Sequence, residues 1–111
     1  MNERLVTVTV DRPLGSVHPE FPDLVYPVNY GFVPGVMAPD GDWQDAYILG
    51  VQEPLRQFTG KVVAVIHRAD DVEEKWVVCP ENCSLCKAEI EAAVQFQEQF
   101  FQSEVQMEKS E

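Results

Sequence analysis

The stretch Lys61-Val62-Val63-Ala64-Val65-Ile66-His67 is a run of β-branched and small apolar residues, bounded by Thr59-Gly60 on one side and the acidic turn Asp70-Asp71-Val72-Glu73-Glu74 on the other. Such side chains pack well on a pleated surface and lose rotamer freedom in a helix, so the run reads as a strand. Its apolar part, Val62 to Ile66, falls far short of the roughly 20 residues a membrane helix needs. Working outward, Ala46 to Val51 and Lys75 to Val78 are further short β-branched runs, with Glu53-Pro54 as a break between Ala46–Val51 and the first. Leu5 to Val10 alternates apolar and Thr residues in the period of a half-buried strand and ends at Asp11-Arg12-Pro13-Leu14-Gly15. Ser16 to Asp23, with Pro19 and Pro22 around Phe21, is an irregular excursion before an extended piece at Leu24 to Phe32. About five short strands at this spacing predict a small barrel.

After Pro80 the pattern changes. Ser84 is the candidate N-cap, and Ile90, Ala93, Val94, Gln97, Phe100, Phe101 and Val105 fall near a helical period, which predicts one C-terminal helix covering the barrel and a frayed tail from Met107 to Glu111. The expected class is mainly β (α+β), a single domain over residues 1–111.

With 8 Lys and Arg against 19 Asp and Glu, the chain carries a net charge of -11, which disfavours nucleic acid and anionic membranes as partners. A phosphate ligand then needs cations in between. Met1-Asn2-Glu3-Arg4 has no signal-peptide apolar region, so a cytoplasmic protein is expected. Cys79, Cys83 and Cys86, an odd number, argue against a disulfide framework.

Asp40-Gly41-Asp42-Trp43-Gln44-Asp45 crowds three carboxylates close behind Tyr26-Pro27-Val28-Asn29-Tyr30-Gly31. Carboxylates this close repel unless they are solvated, protonated or neutralised by a cation, and a divalent metal is the simplest neutraliser. Taken alone, Asp-Gly-Asp is also an ordinary acidic hairpin turn. A calcium loop is disfavoured, because the glycine at its sixth position and the downstream bidentate Glu are absent. The second acidic turn, Asp70 to Glu74 followed by Lys75, changes the balance: a barrel brings both clusters to one rim together with a cation.

Tyr26-Pro27-Val28-Asn29-Tyr30-Gly31-Phe32, Asp40 to Asp45, and Asp70 to Lys75 resemble, in order and approximate spacing, the signature blocks of soluble family I inorganic pyrophosphatases. The resemblance spans roughly Val10 to Val78. It implies an OB-like β-barrel with helices, Mg²⁺ as cofactor with Mn²⁺ a possible substitute, and hydrolysis of pyrophosphate by a metal-activated water. It further implies that Asp40, Asp45 and Glu73 ligate the tighter metal, with Asp45 also bridging to a second. Asp42 stands at the position of the base, and Asp70, with Asp71 beside it, at that of the substrate-borne metal. Tyr30 and Lys75 are implied to contact phosphate or leaving-group oxygens, Tyr26 to support the site, and Arg12 to match the family's arginine after the preceding strand. Glu73 replaces the usual Asp, the second acidic turn is about two residues shorter, and extra residues separate Arg12 from Tyr26. Dimers or hexamers are typical of the family, so a homo-oligomer is implied.

Two departures bear on the phosphate side. The chain as given is short and begins after the family's Lys-Tyr-Glu-like block, and Phe100-Phe101 fall where a Tyr-Lys pair is usual. A divergent member lacking that N-terminal segment is expected to bind pyrophosphate weakly, to take another phosphorylated substrate, or to recruit Arg56, Lys61, Arg68 or a neighbouring subunit.

The remaining residues read more plainly. The three cysteines have a spacing feasible for zinc or iron but no evident fourth ligand, and otherwise lie in a turn and first helical turn. His18 suits a loop hydrogen bond and His67 a strand end; Trp43 and Trp76 suit packing, although Trp43 in the acidic loop is also placed to line a pocket. Phe96, Phe100 and Phe101 suit a core or oligomer face. Three functions follow: a Mg²⁺-dependent inorganic pyrophosphatase, a metal-dependent phosphohydrolase of another phosphorylated metabolite, and a catalytically silent binding domain on the same barrel.

Overall fold

The computed structural model describes residues 5–69, 74–99 and 101–108. Its elements run β1 (Leu5–Arg12), β2 (Asn29–Met37), β3 (Trp43–Ile48), β4 (Gln57–Arg68), β5 (Glu74–Cys79), α1 (Lys87–Glu98) and β6 (Ser103–Met107). The strands follow the order β1-β2-β3-β5-β4, and β1 also pairs with β4, which closes a five-stranded barrel. Neighbours are antiparallel except β3 and β5. The length of β4 has a use: residues 57–61 pair with β1 and residues 64–68 with β6, so the part of its edge that reaches past β1 is covered by β6.

Strand β3 shows how the barrel acquires an inside and an outside. Ala46 and Ile48 join Val8, Val33, Val62 and Val78, one or more from each barrel strand, in the interior. Tyr47 and Leu49 point the other way and pack with Ala64, Ile66 and Val77 against Ile90 and Val94 of α1 and Val105 of β6. Because side chains alternate along a strand, both faces of β3 are apolar and only its ends can carry charge. Gly31 marks the tightest strand approach: a Cβ there would collide with the Thr9 carbonyl oxygen of β1.

Four boundaries differ from expectation. The N-cap of α1 is Cys86 rather than Ser84, and Glu89 Oε1 accepts the Cys86 N–H at 2.8 Å. The helix ends at Glu98, not beyond Val105; Val105 is equally in step with Ser103 and Met107, and as β6 it gains a ladder on β4. Trp43, Gln44 and Asp45 belong to β3 rather than to the acidic loop, and β2 starts only at Asn29. No helix among the described residues is long and apolar enough to cross a membrane.

Candidate active site

The site continues the α1-facing side of the sheet by one step of the strand period. Asp45 precedes Tyr47, Lys75 precedes Val77 and Arg68 follows Ile66, so apolar residues give way to charge at the end of one face. Register brings them together: Asp45 is opposite Lys75, and Tyr30 lies between Arg12 of β1 and Tyr47 of β3. Lys75, only 5% exposed in its side chain, donates from Nζ to Asp45 Oδ2 at 2.7 Å and to Tyr30 Oη at 2.8 Å. Burial, reinforced by the Asp45 carboxylate, pushes the Tyr30 phenol well above its ordinary pKa, so it stays protonated. Arg12, Tyr26, Tyr30, Asp45, Arg68 and Lys75 all line one pocket of about 510 Å³.

Asn29, ahead of Tyr30, explains part of its motif. It is fully buried; its Oδ1 accepts the N–H groups of Leu14 and Leu55, each at 2.9 Å, and its Nδ2 donates to the Glu53 carbonyl at 3.0 Å. One side chain thus clips two loops onto the start of β2.

A second network locks the end of α1 to the barrel beside the pocket. Glu98 accepts from Arg68 Nε (3.1 Å) and Nη2 (2.8 Å), from Tyr47 Oη (2.6 Å) and from Ser103 Oγ (2.6 Å). Gln97 Nε2 donates to Tyr47 Oη (2.6 Å), and Tyr26 Oη donates to Gln97 Oε1 (2.9 Å). Burial alone raises the Glu98 pKa, but the four donors outweigh it and hold the carboxyl below its ordinary range. Burial and the Glu98 charge raise Tyr47. The Arg68 guanidinium lies 3.6 Å from the centre of the Phe101 ring. Gln97 and Glu98 were not singled out for chemistry by sequence; the available signal was polar Gln97 on the helix's apolar period.

The acidic turn sits at the next edge. Ala38 N donates to Asp42 O (2.8 Å), Gly41 N donates to Ala38 O (3.0 Å), and Asp40 Oδ1 accepts the Asp42 N–H (3.0 Å). Gly41 has φ of 91°, the left-handed region that a residue with a Cβ rarely adopts. Asp40 and Asp42 are exposed. Asp42, Trp43 and Asp45 line a shallow recess of about 430 Å³, and Asp45 also lines the main pocket, which makes it the junction of the two. Trp43 is 46% exposed, tilted on Phe32 with ring centres 5.9 Å apart.

The donor chemistry suits a hard divalent cation. Every candidate ligand is a carboxylate, and Mg²⁺ is commonly held by one or two carboxylates together with waters and phosphate oxygens. Asp42 and Asp45 on one recess meet that minimum, although among the described residues no three His, Cys, Asp or Glu side chains gather into a metal-holding group. Asp70, Asp71 and Glu73, and Phe100, lie outside the described residues.

Of the three cations offered as phosphate ligands, Arg68 lines the pocket. Arg56 and Lys61 do not; Lys61 is paired with Leu5 and Cys79, toward the other end of β4. His18 Nδ1 accepts the Glu20 N–H (3.0 Å), and His67, next to last in β4, lies against Glu74 Oε2 (3.0 Å). Cys79 is buried, Cys83 half-buried and Cys86 exposed, all as free thiols.

A family model described as inorganic pyrophosphatase matches residues 2–108. Similar solved structures include inorganic pyrophosphatases from three bacteria. That from Ehrlichia chaffeensis has TM-score 0.71 at 17% identity, over 95% of this chain and 85% of that one. The Coxiella burnetii structure has TM-score 0.66 at 17% identity, over 95% and 86%. The Neisseria gonorrhoeae structure has TM-score 0.65 at 21% identity, over 83% and 70%. At these identities the structural likeness is one of fold. No curated protein matches the sequence significantly.

Proposed function

This chain belongs to the inorganic pyrophosphatase family, and on that premise we propose that it hydrolyses inorganic pyrophosphate to two phosphates with Mg²⁺ bound, Mn²⁺ serving as a substitute. The observation that carries this reading is the convergence of Arg12, Tyr30, Asp45 and Lys75 on one pocket joined through Asp45 to the Asp42 recess.

The residues divide the work by charge. Asp45 and Asp42 face the recess, and with Asp40 and Glu73 they form the carboxylate set that would hold Mg²⁺; Asp70 would meet the ion carried by the substrate. When bound, the ion offsets phosphate charge and makes a water easier to deprotonate. Asp42, in this reading, takes that water's proton as its oxygen adds to one phosphorus and the bridging P–O bond breaks. Arg12 and Lys75 stabilise charge that grows on the departing phosphate. Because Lys75 donates into the Tyr30 oxygen, the phenol keeps its own proton to give to a phosphate oxygen. Tyr26, bonded to Gln97 and tilted on Tyr30 with ring centres 5.8 Å apart, positions rather than reacts.

The test is phosphate release from pyrophosphate by the purified protein with Mg²⁺ or Mn²⁺, run beside Asp42→Asn and after chelation. Turnover that both the variant and chelation abolish supports the assignment. No wild-type turnover above the chelated control with either metal sinks it.

A further inference from the structure

One wall of the pocket serves no phosphate. The segment between β1 and β2 folds back on itself: Gly15 N donates to Tyr26 O, Tyr26 N to Ser16 O and His18 N to Leu24 O, each at 2.8 Å, and Val17 bridges Val25. This small hairpin holds His18, Phe21 and Leu24 against the pocket, and Phe101 lines it from the α1–β6 connection. The rings form a series. His18 is stacked on Tyr26 within 3° of parallel, with centres 5.9 Å apart, and tilts on Phe21 at 4.9 Å.

A small, densely charged anion gains nothing from such a wall, since apolar rings withhold the water that solvates charge. Nor do the rings seal the pocket: Phe21 is 48% and Phe101 39% exposed. Glu20, on the same hairpin, also lines the pocket; its carboxylate repels a further phosphate but accepts hydrogen bonds from a sugar hydroxyl or a base amino group. The volume of about 510 Å³ lies in the range of roughly 300–1,000 Å³ typical of pockets for organic ligands. Tyr26 joins the two halves, stacked on His18 and tilted on Tyr30.

We propose that the pocket accepts nucleoside diphosphates, the terminal phosphoryl group lying toward the Asp42–Asp45 recess, the inner phosphate at Arg12, Tyr30 and Lys75 and the base against His18 and Phe21. The inference rests on the proposed function and names a second substrate class for that site. Water adds to the terminal phosphorus, the bridging P–O bond between the two phosphates breaks, and inorganic phosphate, a nucleoside monophosphate and one proton are released.

The experiment compares kcat/KM for pyrophosphate, ADP and methyl diphosphate, which carries the same diphosphate without a ring, on the Mg²⁺-loaded wild type, Phe21→Ala and Phe21→Leu. ADP is expected to exceed methyl diphosphate by about tenfold or more, and both variants to lose about 5- to 150-fold on ADP, as for removal of one base–ring stack, while pyrophosphate stays within about twofold. Equal rates for ADP and methyl diphosphate, or equal losses on ADP and pyrophosphate in the variants, overturn the inference while leaving pyrophosphatase activity standing. Turnover of ADP with none of pyrophosphate overturns the proposed function instead, and turnover of neither overturns both.

Discussion

Asp45 and Lys75 are register partners on the parallel strands β3 and β5, and their carboxylate and ammonium groups meet at 2.7 Å. Parallel pairing puts both side chains on the face that carries Tyr47 and Val77, so the pair is fixed by the ladder and not by a loop. Lys75 is almost wholly buried while the Asp45 side chain is 32% exposed. The lysine therefore depends on the aspartate for compensation more than the reverse, and Asp45 remains open to the recess shared with Asp42.

That asymmetry separates two substitutions of equal size. Asp45→Asn should weaken Mg²⁺ binding, abolish turnover and destabilise the fold by about 1–3 kcal/mol, because the buried Lys75 ammonium loses the carboxylate charge that meets it at 2.7 Å. Asp42→Asn, on an exposed turn, should spare most metal binding and stability and mainly lower kcat. Calorimetric Mg²⁺ titration, urea melts and pyrophosphate turnover on both variants read this out. Full activity in Asp42→Asn shows that the base is another group.

Stability should have limits of known sign at both ends of the pH scale. Glu98 is held below its ordinary value of 4.5, so its contribution is complete above that value and lost as pH falls through the lower folded pKa. Tyr26, Tyr30 and Tyr47 are raised above 10.0, chiefly by burial, so theirs is complete below 10.0 and lost as pH rises through the folded values. Urea midpoints measured across pH should show a plateau between these limits. Glu98→Gln should flatten the acid limb and Tyr47→Phe the alkaline one; an acid limb unchanged in Glu98→Gln contradicts the carboxylate's role.

The barrel was legible because its strands are short β-branched runs between Pro and Gly breaks, and the helix because Ile90 and Val94 repeat at its period. Strand β6 was not: Val105 lies four residues after Phe101, as in a helix, and two from Ser103 and Met107, as in a strand, and only the unpaired edge of β4 decides between them. In the site, Tyr30, Asp45 and Lys75 could be picked out because they stand in recognisable blocks. The Arg68–Glu98 pair spans 30 residues and forms only when α1 docks, so no local pattern announces it. The hairpin carrying His18 and Phe21 read as an irregular excursion, since its bonds join backbone groups across a turn that the spacing of Pro19 and Pro22 does not reveal.

Glu98→Ala should destabilise the protein by about 3–5 kcal/mol, the usual cost of breaking a buried ion pair. The change takes from the Arg68 guanidinium a carboxylate held through two nitrogens and from Tyr47 and Ser103 their acceptor. Chemical denaturation measures it, and a loss below about 1 kcal/mol means the network is replaced by water at little cost. Replacing both Arg68 and Glu98 by Leu should recover much of the stability but not the pocket's cation, so stability and turnover part company in the double variant.

Gly31 couples strand spacing to the site. It is buried between Val10 of β1 and Ala46 of β3, and a Cβ would lie 2.8 Å from the Val10 Cα as well as colliding with the Thr9 carbonyl. These are backbone atoms, so relief requires β1 to move off β2, and Arg12, just past Val10 and opposite Tyr30, moves with it. Gly31→Ala is therefore expected to lower stability by about 1–3 kcal/mol and to raise KM for pyrophosphate beyond what the stability loss explains. Gly41→Ala serves as the contrast: its Cβ meets open space, and the strain of its φ of 91° should cost about 1–2 kcal/mol without shifting Arg12. Thermal melts with steady-state kinetics on both variants distinguish the two. A Gly31→Ala protein with unchanged KM means that Arg12 does not report the β1–β2 spacing to the substrate.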